Sequence, residues 1–214
     1  MAESYHLDNY GYIIEDVPPE LFQRLKVESL TAEQERYFPT DNAREMVSGL
    51  SGPLCPKHYY VDKNKDELNK FVLDLFATKY EPKFNYLSNF KTLTHSVPII
   101  AHTPWINIQE KNEMIPNHQH DGIVSYALWI KIPYNIDDEA KQGEFASCFQ
   151  FTYSSIVGGL HTYTLRLDKA VEGKIMMFPA QLQHCVYPFT TVDDCRISIS
   201  GNVSFDTSGV TNAS

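Results

Sequence analysis

The chain has 214 residues, with 27 Asp and Glu against 18 Lys and Arg and a formal net charge of −9, which is long enough to bury one sizeable core. This acidic balance, with no cluster of Lys and Arg, argues against a nucleic-acid-binding protein, because phosphate contacts need concentrated cationic side chains; a local cationic pocket is not excluded. No apolar run approaches the length of a membrane span, and "MAESYHLDNYGY" has neither the basic segment nor the apolar stretch of a signal peptide, so a soluble, cytoplasmic protein is expected. Cys55, Cys148, Cys185 and Cys195 show no Cys-x-x-Cys spacing and are read as reduced thiols.

The first third reads as short helices joined by loops. "PPELFQRL" opens with Pro18 and Pro19 ahead of a helix-compatible stretch, and "TAEQERYF" sets Thr31 three residues before Gln34, the pattern of a capping box at a new helix start. The clearest helix is "NKDELNKFVLDLFATKY". Leu68, Phe71, Val72, Leu75 and Phe76 recur there at the spacing of one buried face, with Lys65, Asp66, Lys70 and Asp74 outside.

From about Val97 the pattern changes to short runs rich in Ile, Val, Tyr, Phe and Thr. Candidate strands are "VPIIAHTPWINIQ", "IVSYALWIKIP", "EFASCFQFTY", "HTYTLRL", "GKIMMFPA", "HCVYPFTT" and "CRISISGNVSF". Seven strands with no helical pattern between them predict an antiparallel sandwich or barrel. The expected fold is mainly β with N-terminal helices, a jelly roll flanked by helices in a single domain 1–214: a helical supporting part over about 1–95, the β core over about 96–205 and a frayed tail at 206–214.

Before "IVSYALWIKIP" stands "IPNHQHDG". Residues two apart in a strand share a side, so His118 and His120 can converge on one ion, whereas Asp121 joins them only through a bend or bulge. A distant third histidine would complete a metal site with open positions. In "CRISISGN", Arg196, Ser198 and Ser200 share one face and Ile197, Ile199 and Gly201 the other. If Arg196 points inward it needs an anion, either a carboxylate of this chain or a small dicarboxylate ligand held by the arginine fork and a serine hydroxyl.

The histidine pair opening a strand, the distal His184 after an "FP" turn and the Arg-x-Ser a dozen residues later resemble the iron(II)- and 2-oxoglutarate-dependent dioxygenase superfamily. More narrowly, "WINIQEKNEMIPNHQHDGIVSYALWIKIP", "GKIMMFPAQLQHCVYPF" and "RISISGN" are similar to an oxygenase branch related to prolyl 4-hydroxylases and associated with marine bacteria and cyanobacterial phages. The resemblance spans about 105–203 and implies a double-stranded β-helix (jelly roll) core. It also implies Fe(II) and 2-oxoglutarate as cofactors, with ascorbate as a reductant. His118 and His184 would be iron ligands, Arg196 and Ser198 would bind the 5-carboxylate of 2-oxoglutarate, Asn107 of the Trp105-x-Asn107 pair would face cofactor or substrate, and Asn202 would line the same cavity. The family usually has a carboxylate where this chain has His120. The third ligand is therefore His120, or Asp121 through a bulge, or the metal has been lost.

The activity so implied is hydroxylation of a small-molecule or peptide substrate, peptidyl proline among the options, with release of succinate and CO2, in the host cytoplasm if the chain is of phage origin. Tyr126, Trp129, Phe149, Phe151 and Tyr187 either line the cavity or form sandwich core. His6, His58, His95, His102 and His161 read as surface or satisfied polar residues. Two other classes stay open: a non-catalytic jelly-roll binding or virion-associated protein, which needs an internal carboxylate on Arg196 and no central cavity, and a cupin-like three-histidine metal enzyme without an anion anchor. The sequence carries no signal of oligomeric state.

Overall fold

The computed structural model describes residues 10–46, 54–90 and 98–208; His6, His95 and all of the 206–214 tail beyond Ser208 lie outside them. Eleven strands are assigned among these residues. The larger sheet runs in the order β1 (Ile13–Asp16), β9 (Lys174–Pro179), β6 (Val124–Lys131), β11 (Arg196–Phe205), β4 (Trp105–Gln109), β2 (Lys57–Tyr60), with β3 (Ile99–Ala101) also on β11. The smaller sheet is β5 (Ile115–His118), β10 (Gln183–Val186), β7 (Phe149–Ser154), β8 (Leu160–Leu165). Every pairing is antiparallel, and the two sheets form a jelly-roll core with helices on the outer face of the larger one.

Alternation on β11 decides what lies on each side of the large sheet. Ile197, Ile199 and Val203 pack outward with Ile106, Ile108, Leu128 and Ile130 of neighbouring strands against Leu21, Leu25 and Ala32 of α1 (Pro19–Tyr37) and Leu68, Val72 and Leu75 of α2 (Lys65–Leu75). Each such fully buried aliphatic side chain stabilises the fold by roughly 1.5–3 kcal/mol. Inward, Trp129, Phe149, Phe151, Met176 and Phe178 form a second cluster between the sheets. The adjacent methionines Met176 and Met177 divide accordingly, one to each cluster.

Four sequence expectations change. The Thr31 start does not form, because α1 runs unbroken through it and the Thr31 hydroxyl donates to the Val27 carbonyl at 3.0 Å; inside a helix that back-bond satisfies the hydroxyl without opening the backbone. The α2 pattern is right on its buried face, but Phe76–Tyr80 continues it as a π-helical turn. The supporting part is not purely helical, since β1 and β2 join the large sheet through β9 and β4. "VPIIAHTPWINIQ" is two strands, β3 and β4, separated at His102–Pro104; Pro104 has no amide proton to continue a ladder.

The β2 edge is fixed by a buried carboxylate. Glu28 on α1 accepts the backbone N–H of Asp62 at 2.7 Å and of Lys63 at 2.8 Å, and Asn64 Nδ2–H at 2.7 Å. This ties the β2–α2 loop to α1 and holds β2 in register with β4, His58 opposite Asn107.

Gly201 meets Tyr126 across the β6–β11 ladder. A Cβ on Gly201 would press on the Tyr126 hydroxyl and sit 2.6 Å from ring Cζ. Gly201→Ala is therefore expected to cost on the order of 1–3 kcal/mol by overpacking, read as a lower denaturation midpoint at unchanged m-value; an unchanged midpoint would show that this face of the sheet is looser than described.

Candidate metal centre and anion pocket

Strands β5 and β10 place His118 directly opposite His184 as ladder partners. His120 lies two residues past the end of β5, in the turn leading to β6, with its backbone N–H bonded to the Ala180 carbonyl at 2.9 Å. One nitrogen from each of His118, His120 and His184 lies within 4.8 Å of the others, and the ring centroids are 4.3 to 5.3 Å apart. Asp121 is exposed and outside this group. The turn carries it away: Gly122, at φ 123°, sits so close to the Val203 carbonyl that a Cβ would be 2.7 Å from it. No bulge brings the Asp121 carboxylate inward.

The cluster is neutral and aimed. Nδ1–H of His118 donates to the Pro116 carbonyl at 2.8 Å, and Nδ1–H of His184 to the Leu182 carbonyl at 2.8 Å. Each ring is thus held in the tautomer that leaves Nε2 with its lone pair free, the usual support for a histidine ligand. Burial disfavours the imidazolium at all three: His118 is pushed below its ordinary value, His120 down to about 4 and His184 down to about 3, with the neighbouring His118 ring adding to the last two.

A cavity of about 440 Å³ opens between the sheets, and these histidines, Arg196, Ser198, Ser200, Asn202, Asn107, Trp105 and His58 are among its walls. Arg196 is 3% exposed. Its Nε and Nη2 protons go to Gln109 Oε1 at 3.1 and 2.7 Å, its Nη1 protons to Tyr134 Oη at 2.9 Å and the Ser147 carbonyl at 2.7 Å, and the remaining Nη2 proton to the Tyr187 carbonyl at 2.7 Å. Among the described residues no carboxylate pairs with it. The guanidinium is hydrogen-bonded to neutral groups, and no described carboxylate compensates its charge.

Asn107 is oriented from both sides. Trp105 Nε1–H donates to its Oδ1 at 3.1 Å and His58 Nδ1 lies 2.9 Å from the same oxygen; its amide protons go to Ser198 Oγ at 3.2 Å and Ser200 Oγ at 2.9 Å. Its polar atoms are thus occupied by protein partners, and it acts on the cavity through the two serines. Asn202 accepts Ser125 Oγ–H at 2.7 Å. Of the aromatic residues, Trp129 and Phe149 both line the cavity and belong to the inter-sheet core. Phe151 is core, Tyr126 packs in the helix-facing cluster and is also among the cavity walls, and Tyr187 contributes its carbonyl to Arg196.

The expectation of a surface role fails for His58. It is on β2, 6% exposed, and lines the cavity; the signal that finds it is strand pairing with Asn107, 49 residues away in sequence. His102 bonds Ser204, and His161 is exposed beside Tyr153. The four cysteines are free thiols, and no helix of the described residues is long and apolar enough to cross a membrane.

Residues 103–202, just under half of the chain, match the family model described as "Putative 2OG-Fe(II) oxygenase". No curated protein sequence matches. Among solved structures the chain is similar to a Pseudomonas putida prolyl-4-hydroxylase at 12% identity, covering 92% of this chain and 94% of that one with a TM-score of 0.57. It is also similar to AviO1 of Streptomyces viridochromogenes at 10%, covering 94% and 92% with 0.56. A third is a Trichoplax adhaerens prolyl hydroxylase in complex with a hypoxia inducible factor oxygen degradation domain peptide fragment, at 10%, covering 93% and 85% with 0.56. These identities carry the fold alone, the double-stranded β-helix; the matched segment 103–202 contains His118, His120, His184, Arg196 and Ser198.

Proposed function

We propose that the chain is an Fe(II)- and 2-oxoglutarate-dependent oxygenase that hydroxylates a small-molecule or peptide substrate, with His118, His120 and His184 as the metal ligands. The hydroxyls of Ser198 and Ser200 would take the 5-carboxylate of 2-oxoglutarate, and Arg196, whose N–H groups already have protein partners, would supply the balancing charge. The observation that carries this reading is a buried guanidinium without a protein anion, in the same cavity as three neutral imidazoles. An uncompensated buried charge costs several kcal/mol, and a dicarboxylate co-substrate would offset that cost. The donor set fits iron in a site with open positions: three ring nitrogens lie within 4.8 Å of one another, two of them on rings fixed by backbone carbonyls.

When bound, Fe(II) with 2-oxoglutarate and dioxygen supplies oxidative decarboxylation to succinate and CO2 coupled to hydroxylation of a C–H bond. The chain's own residues do the rest. Ser198 and Ser200 each accept from Asn107, so their hydroxyl protons are left to donate to a carboxylate. Arg196 supplies the compensating charge from a dry position, where the Coulombic attraction is stronger than at a surface. Trp129, Phe149 and Phe178 exclude water from the cavity wall. Peptidyl proline is the first substrate to test, on the likeness to solved prolyl hydroxylases, and ascorbate would keep the metal reduced. The non-catalytic alternative needs a carboxylate on Arg196 and no cavity, and the cupin-type alternative has no use for a buried cation beside the metal; the observed pocket favours neither.

Incubation with Fe(II), ascorbate, 2-oxoglutarate and prolyl peptides should yield succinate above a metal-free control, and His184→Ala should lose stoichiometric iron; iron retained by that variant would remove His184 from the ligand set. Arg196→Met should bind Zn(II) normally and weaken 2-oxoglutarate by about 3 kcal/mol, roughly a hundredfold in Kd, whereas unchanged affinity would give the arginine a purely structural role. Protons compete with metal for the same lone pairs. With His118 held below its ordinary value and His120 and His184 depressed to about 4 and about 3, the fall in Zn(II) affinity with pH should begin below the ordinary imidazole value of about 6.5; a decline starting at that value would mean that the site is wetter than described.

A further inference from the structure

Among the described residues His58 is the one cavity-lining histidine outside the three-nitrogen cluster, and its hydrogen-bond polarity follows from its neighbours. An indole N–H can only donate, so the Asn107 atom that Trp105 meets at 3.1 Å is the oxygen. The other amide atom reaches the Ser198 carbonyl at 3.4 Å, which can only accept, so that atom is the nitrogen. The Asn107 oxygen must then receive a proton from His58 Nδ1 at 2.9 Å. His58 is neutral, since burial pushes its pKa down, and a neutral imidazole bonded through Nδ1–H presents only a lone pair at Nε2. That nitrogen is buried and has no hydrogen-bond partner among the described residues.

The row of residues across β2, β4 and β11 therefore has a direction. His58, Asn107 and Ser198 are consecutive ladder partners. At the β11 end the serine hydroxyls are left to donate; at the β2 end His58 can only accept. 2-Oxoglutarate at neutral pH carries two carboxylates and a keto oxygen, all acceptors, so it matches the serine end and cannot satisfy His58.

We propose that His58 is a substrate-binding residue whose Nε2 accepts a hydrogen bond from an N–H or O–H donor on the primary substrate, and that this end of the row selects for a donor-bearing ligand such as one presenting a secondary amide. The proposal rests on the oxygenase reading for the identity of the cavity's occupants; the tautomer of His58 does not. An unpaired buried acceptor costs about 1–3 kcal/mol, so a ligand that supplies the missing donor gains over an isostere that lacks it.

The test is NMR on protein labelled with 15N at histidine, metal-free and loaded with Zn(II) and 2-oxoglutarate. His58 is expected as the Nδ1–H tautomer in both. Its Nε2 resonance should move on titration with N-methylacetamide and stay in place with N,N-dimethylacetamide, which has no N–H. In Asn107→Ala the tautomer preference should weaken. An Nε2–H tautomer in the wild type, an equal response to both amides or a response to neither overturns the assignment. Failure of the Zn(II)-loaded wild type to bind 2-oxoglutarate would count against the oxygenase reading instead, and the metal-free titration would still decide the role of His58.

Discussion

Strand β11 cannot slip by one residue. It lies inside the large sheet, paired on one side with β6 and on the other with β4 and β3, and its side chains alternate between the helix-packed core and the cavity. A slip of one position would drive Arg196, Ser198 and Ser200 into the cluster that holds Leu25, Leu68 and Val72, and would turn Ile197 and Ile199 toward the cavity. Burying a guanidinium among aliphatic side chains without partners costs far more than the few kcal/mol by which a domain is stable. The same alternation that forms the core therefore also places the polar wall of the site.

The placement of Arg196 is tolerated because all its donors are met by neutral acceptors and it lies near the aromatic rings of Tyr134 and Phe189, 5.8 and 5.6 Å from their centroids. Hydrogen bonding removes the desolvation cost of the N–H groups but leaves the charge. The histidines offer no relief, since all three are held neutral. A cavity with one uncompensated cation and three free nitrogen lone pairs is matched to a metal ion together with an anion that reaches the cation. In the proposed reading, His120 in place of the usual carboxylate ligand would make the loaded site more positive by one charge and would strengthen its preference for a dianionic co-substrate.

Much of this was legible in the sequence because it depends on short-range periodicity. The period-two pattern of "RISIS" separates the Arg196 face from the Ile197 face, and the three- and four-residue spacing from Leu68 to Phe76 places α2 on the core. His118, His120 and His184 were legible as a group only through the resemblance, since the ladder pairing of β5 with β10 joins segments 66 positions apart. What was missed depends on tertiary context. β1 and β2 are four residues each, too short to show alternation, and they exist as strands because β9 and β4 offer unpaired edges. His58 follows from β2: without the strand it reads as a loop residue, and with it as a neighbour of Asn107. Thr31 and Gln34 carry the letters of a capping box, but the buried face of α1, which continues from Leu25 through Ser29 to Ala32, outweighs a local cap. Asp121 depended on a bulge, and the φ of Gly122 sends the chain the other way.

The central claim is that one metal ion is held by three imidazoles and no protein carboxylate. X-ray absorption of the anaerobic Fe(II)-loaded protein tests it most directly, with the Asp121→Asn variant measured alongside. The account predicts a scattering pattern of three imidazoles in the wild type, identical in Asp121→Asn; two imidazoles with a carboxylate oxygen that disappears in the variant would contradict it.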